Sequence, residues 1–188
     1  MKPSRQALLV SLAMLLVMCG CGEPAHDAAA PLPEPAVLVA VSTDEATGDL
    51  PAITEAHPDL IDSLPGALSS LVDSQPRGFV DGYLVASFHL VGASTSGDEL
   101  WLYAHESLAT YQADKGKAAM QSASSMPVRI RLDAASLKPV AIDEPLDGDS
   151  YAPSIAAMMP AWASERAESL DFDEPAMQAA ADRWAATQ

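Results

Sequence analysis

Few side chains in this sequence have the types and spacing that chemistry demands. His57, His89 and His105 are far apart along the chain, and none falls at the i, i+4 separation that places two imidazoles on one helical turn for a metal. His89 and His105 lie on two strands in the reading below and could meet if those strands pair; the plainer expectation is that each is packed or solvent-facing. Ser124 and Ser125 read as the entry to a strand rather than as nucleophiles, because no base is indicated beside them. Asp143, Asp147 and Asp149 around Gly148 suggest a calcium loop only faintly. That pattern needs an acid where Pro145 stands and a glutamate where Ser154 stands, so a solvated turn is the better description. No His-Glu-x-x-His, Gly-x-Ser-x-Gly or phosphate-cradling Gly-Lys-Ser/Thr segment occurs. The sequence therefore offers no catalytic residue and no metal site, and a non-enzymatic role is expected.

The more promising chemistry is that of contact. Tyr83, Trp101, Tyr103, His105, Arg129 and Arg131 fall on one side of a sheet if the strand phases below hold. Aromatic and arginine side chains are enriched where proteins bind partners, and two arginines on one strand stand out in an acidic chain. These six form the candidate partner face. The competing arrangement has a C-terminal helix over the aromatics and the arginines paired with nearby acids.

The elements that position them follow from periodicity. Ile53, Leu60, Ile61, Leu64, Leu68, Leu71 and Val72 recur at helical spacing. Pro58 can open a helix, Pro65 is expected to end or kink it, and Gln75-Pro76-Arg77-Gly78 closes the segment. Residues 79–91 then alternate as a strand, with Val80, Leu84, Ala86, Phe88 and Leu90 on one face. Gly92–Asp98 reads as a loop, and Glu99–Tyr111 as a second strand with Leu100, Leu102 and Ala104 inward. Asp114–Lys117 is a turn. A third strand points Val128, Ile130 and Leu132 inward, a turn occupies Asp133–Ser136, and Leu137–Ile142 makes a fourth strand. Short turns between strands favour an antiparallel meander. Beyond it, Ser154 can cap a helix running to Met159, Pro160 can start another, and Asp173 can cap a last one with Met177, Ala180, Ala181 and Trp184 on its inner stripe. The expected class is α+β: a helix, a four-stranded antiparallel meander and C-terminal helices, a layout similar to cystatin-like folds.

The first residues set location. Lys2 and Arg5 precede a 12-residue run, Ala7–Met18, that is apolar except for Ser11; a bilayer-spanning helix takes ~20. This describes a secretory signal. It ends in Val17-Met18-Cys19-Gly20-Cys21, which resembles a bacterial lipobox, cleaved after the small Gly20 with Cys21 carrying the lipid. A diacylglyceryl thioether plus an N-acyl chain (palmitate or its like) passes the two-chain threshold for stable anchoring. Gly22, where an inner-membrane retention signal would place Asp, points to the outer membrane, facing the periplasm. Cys19 and Cys21 are the only cysteines, so the mature chain has no disulfide although its compartment permits one. No cofactor is expected beyond that covalent lipid. Four prolines between Pro24 and Pro35 argue for an extended tether, in which His26 is solvated; Val37–Val41 can add a strand. The expected organisation is 1–20 signal peptide, 21–50 lipidated cysteine and tether, and 51–188 one α+β domain.

Charge narrows the partners. The chain has 26 acidic and 10 basic residues; without Lys2 and Arg5 the balance is 26 to 8, a net of −18. That balance argues against nucleic acid as a ligand and disfavours flat adsorption on anionic lipid, leaving the acyl chains to hold the membrane.

Three stretches carry a family resemblance: Ser87-Phe88-His89-Leu90-Val91-Gly92, Ser122-Ala123-Ser124-Ser125-Met126-Pro127-Val128, and Glu144-Pro145-Leu146-Asp147-Gly148-Asp149-Ser150-Tyr151 running on to Ile155. Together they resemble an uncharacterised bacterial domain of small lipoproteins and secreted proteins, also appended to sensor metallopeptidases of the beta-lactam response. Asp143 stands where that family has Trp, and Ser150 where it has Tyr. The resemblance spans about Gly78 to Met159 and implies a fold, with no activity attached. The functional expectation is a membrane-anchored periplasmic lipoprotein acting as a non-catalytic binding module for an envelope protein or peptide. The alternatives are an inhibitor of a cationic cell-wall hydrolase, suggested by the charge, and a hydrolase whose site the sequence does not display.

Overall fold

The computed structural model describes residues 37–74 and 82–188. The signal peptide, Cys21, the tether as far as residue 36, the turn at Gln75–Gly78 and the strand positions Val80 and Asp81 lie outside the described residues. Strand β1 (Val37–Gly48) leads to helices α1 (Leu50–Ala56) and α2 (Leu60–Ser74). Strands β2 (Tyr83–Ser96), β3 (Glu99–Asp114), β4 (Lys117–Asp133) and β5 (Pro139–Asp143) follow, then α3 (Tyr151–Met158), α4 (Ala161–Glu168) and α5 (Glu174–Ala185). The protein is α+β. Its sheet is ordered β1-β2-β3-β4-β5.

Strands β2 to β5 pair antiparallel in chain order, but β1 joins the edge parallel to β2, so the sheet is mixed and five-stranded rather than a four-stranded meander. Parallel neighbours need a crossover of a dozen residues or more, and α1 and α2 lie in that connection. Strand β1, Val37–Gly48, is part of this sheet, and its Val39 sits 8% exposed against the core.

One face of the sheet carries the main core. Ala86, Phe88, Leu90, Leu100, Leu102, Ala104, Val128, Ile130 and Leu132 pack against Leu50 of α1 and Leu60, Leu64, Leu68 and Val72 of α2. Pro65 does not end α2. Proline inside a helix costs about 3 kcal/mol, whereas each of the four buried α2 side chains gains ~1.5–3 kcal/mol by leaving water; burial prevails.

The strands outrun their sequence signals. Gly92–Asp98 contracts to a two-residue loop, Gly97-Asp98, with Gly97 at φ +61°. Lys115 and Gly116, both at positive φ, join β3 to β4 as a primed hairpin turn requires. Ala118–Met126, rich in Ala and Ser and poor in intrinsic strand preference, is drawn into β4 by pairing along the whole of β3. A bulge at Val91 shifts the β2–β3 register. Beside it, Gly92 allows Trp162 of α4 to rest on the sheet: a Cβ there would fall 2.6 Å from both the indole and the Thr47 carbonyl oxygen.

Candidate functional site

The second face is covered by C-terminal helices in two separate patches. Ala163 and Ala167 of α4, with Met159, pack on Val91 and Tyr103. Met177, Ala180 and Ala181 of α5 pack on Val85, Ala109 and Tyr111. Between the patches lies a cavity of about 260 Å³. Ser42, Ser87, His89, His105 and Ser107 form its floor, and the segment joining α4 to α5 roofs it with Leu170, Asp171, Phe172 and Asp173, together with Pro175 in the first turn of α5.

Register explains why this floor is polar. Residues directly opposite on paired strands share a face. Ser87 of β2 faces Ser107 of β3, which faces Ser125 of β4. One step along, Ser42 faces His89, which faces His105, which faces Pro127. A row of hydroxyls and a row of imidazoles thus cross the sheet side by side, in the interval that neither helix covers. Ser107 is 2% exposed and Ser87 8%.

His105, 6% exposed, is the best-fixed member. Its Nδ1 lies 2.8 Å from the Ala167 carbonyl oxygen and its Nε2 lies 2.6 Å from Ser125 Oγ. Burial pushes its pKa below the usual histidine value and the neighbouring His89 adds to that, against the opposing pull of the Ala167 hydrogen bond and of Asp171. The ring is therefore neutral at pH 7. His89 Nδ1 and Ser42 Oγ are 3.2 Å apart.

The six residues of the expected partner face are distributed unequally. Tyr83 stacks on Trp184 of α5 at 4.6 Å. Tyr103, 5% exposed, meets Trp162 edge to face at 5.7 Å, with its hydroxyl 2.7 Å from Ser94 Oγ. Trp101 lies under the Arg129 guanidinium at 4.0 Å, with Arg131 at 5.9 Å. Arg129 also donates to Asp143 at 2.7 Å and to the Met158 carbonyl at 3.2 Å. Helix side chains thus lie against Tyr83 and Tyr103, the Ala167 carbonyl of α4 reaches His105 at the cavity floor, and Trp101, Arg129 and Arg131 cluster beside one another. Of the acids in the faint calcium-loop pattern, Asp143 is paired with Arg129 through Oδ2. Among the described residues no group of three or more His, Cys, Asp or Glu side chains is placed to hold a metal.

Sequence reasoning missed Ser42, Ser87 and Ser107 as floor residues, and it read Ser125 without the histidine that lies beside it. A signal was present: Ser87-x-His89 and His105-x-Ser107 place polar side chains at alternate positions of two neighbouring strands, which pairing brings into register.

Comparison with known proteins yields no match to a protein family, to a curated protein or to a solved structure.

Proposed function

We propose that this chain is a lipid-anchored envelope protein whose folded part binds a small, uncharged polar molecule between α4 and α5. The observation that carries the reading is the polar floor itself. Serine hydroxyls donate and accept, and a neutral imidazole does one at each nitrogen, so the gap suits a ligand with mixed hydrogen-bonding groups, such as an envelope saccharide or the end of a short peptide. Asp171 and Asp173 in the roof, together with the net charge, disfavour an anion. Phe172 adds an apolar surface at the same roof.

The anchor half of the proposal rests on the lipobox-like Met18-Cys19-Gly20-Cys21 and the proline-rich stretch after it. It takes the site of action to be the periplasmic side of the outer membrane. The cystatin-like comparison extends only to α2 against the antiparallel strands and carries no function.

Calorimetric titration with neutral cell-wall saccharides and short wall peptides tests the binding half. Saturable binding that Ser107→Leu abolishes by filling the gap is the expected result; no saturation by any of them, or binding unchanged in Ser107→Leu, sinks it. For the anchor, intact-mass analysis of envelope-extracted protein is expected to show acyl chains on Cys21, and Cys21→Ser is expected to move the protein to the soluble fraction. An unacylated native protein defeats that half alone.

A further inference from the structure

On β4, next to the cavity-lining His105, Ser125 Oγ lies 2.6 Å from His105 Nε2. The proton positions follow from the partners. The Ala167 carbonyl oxygen, 2.8 Å from Nδ1, can only accept, so Nδ1 carries the ring proton. In the neutral ring Nε2 is then a lone pair, and the Ser125 hydroxyl donates to it. A serine hydroxyl on such a nitrogen, with the ring's other nitrogen held by a fixed acceptor, is the arrangement that activates an alcohol for attack. Here a main-chain carbonyl takes the place more often filled by a carboxylate. Exposure divides the roles sensibly: Ser125 is exposed, whereas His105 is 6% exposed. The nucleophile can be reached while the base is sheltered from bulk water.

We propose that Ser125 is a nucleophile and His105 its general base, acting on a small uncharged or cationic ester whose acyl group enters the gap between α4 and α5. The inference goes beyond the binding reading and shares with it only the gap. The Ser125 proton passes to Nε2 as Oγ bonds to the ester carbonyl carbon. The carbon–oxygen bond to the alcohol then breaks, and the alcohol leaves with the proton from Nε2. Water attacks the acyl-serine, giving its proton to Nε2; Oγ recovers that proton, and a carboxylic acid departs. Ser107, opposite Ser125 across the β3–β4 pair and on the cavity wall, is the hydroxyl assigned to stabilise the developing oxyanion. Asp171 and Asp173 in the roof repel anionic esters and favour a neutral or positively charged one.

A fluorophosphonate probe tests this on the full-length protein in detergent, read by intact mass and peptide mapping. The expected result is one adduct on Ser125, within the tryptic peptide Ala118–Arg129. Ser125→Ala is expected to abolish it, and Ser124→Ala, which faces the other side of the sheet beside Leu108, to leave it intact. His105→Gln is expected to slow labelling by about 100-fold or more, the size of a lost general base. A second readout does not depend on that variant folding. The wild-type labelling rate should reach its plateau with a midpoint below pH 6.5, whereas an unassisted hydroxyl reacts faster with every unit up to pH 9. No adduct, an adduct on another serine, or a rate still climbing above pH 8 overturns the proposal. Saturable ligand binding without any adduct overturns it while leaving the binding reading in place.

Discussion

The two faces of this sheet are covered by helices, but in different ways. On the core side α1 and α2 present large aliphatic side chains, Leu50, Leu60, Leu64, Leu68 and Val72, all 0–4% exposed, to a continuous apolar surface. On the other side α4 and α5 touch the sheet largely through alanines, at Ala163, Ala167, Ala180 and Ala181. Small side chains let helices lie close but cover little area each. Two Ala-faced helices therefore seal two patches and leave the polar interval between them. Burial scales with apolar area removed from water, about 25 cal/mol per Å², so the first face contributes most of the stability. The second can keep hydroxyls and imidazoles in its floor without endangering the fold.

The largest effect that would sharpen this contrast belongs to the core face. Leu68→Ala empties a fully buried position on α2 and is expected to cost ~2–5 kcal/mol in urea unfolding, while the folded fraction keeps its Ser125 reactivity; loss of reactivity in protein that is still folded would break the division between the faces. Next comes Gly92→Val. Its side chain would collide with Trp162 and with the Thr47 carbonyl oxygen, for an expected ~1–3 kcal/mol of overpacking and a shifted Trp fluorescence as α4 lifts. An unchanged spectrum would mean that α4 does not depend on this close approach.

A smaller effect concerns pH. The folded-state pKa of His105 is depressed by burial, so between that value and about 6.5 the unfolded chain binds the proton and the folded chain does not. Stability from this residue is thus complete above pH 6.5 and declines as pH falls through that window. Urea midpoints measured from pH 7.5 down to pH 5 should fall more steeply for wild type than for His105→Asn; parallel slopes would remove His105 as the titrating group. The smallest effect is expected at the margin. Arg129→Met breaks a pair whose side chains are 25% and 37% exposed, where solvent screening leaves ~0.2–1 kcal/mol. A loss well above that would promote the Trp101–Arg129–Asp143 corner from trim to structural support.

Much of the core face was legible. Leu84, Ala86, Phe88 and Leu90, then Leu100, Leu102 and Ala104, then Val128, Ile130 and Leu132 alternate in the sequence and share one surface in the fold, since strand geometry turns a period of two into a face. The inner stripe of the last helix was equally readable, with Met177, Ala180 and Ala181 buried and Trp184 half-buried. The parallel placement of β1, the persistence of α2 through Pro65 and the extension of β4 over Ala118–Met126 were not, because local preference is weak or contrary at each and long-range pairing or burial decides. The candidate site was visible only in fragments. His89 and His105 stood out as histidines, and Ser125 as a serine without a base.

By itself, the sequence determined which side of each strand is apolar, where most of the helices fall, how acidic the chain is, and the charged-then-apolar start ending at Cys21. Those properties are local or additive, readable from neighbours two to four residues apart. Only the tertiary structure decided that Ser87, Ser107 and Ser125 form one row beside Ser42, His89 and His105, and that the α4–α5 connection passes over them. Such a row exists only once strand registers are set, and registers depend on contacts between residues far apart in the chain, which no local pattern specifies.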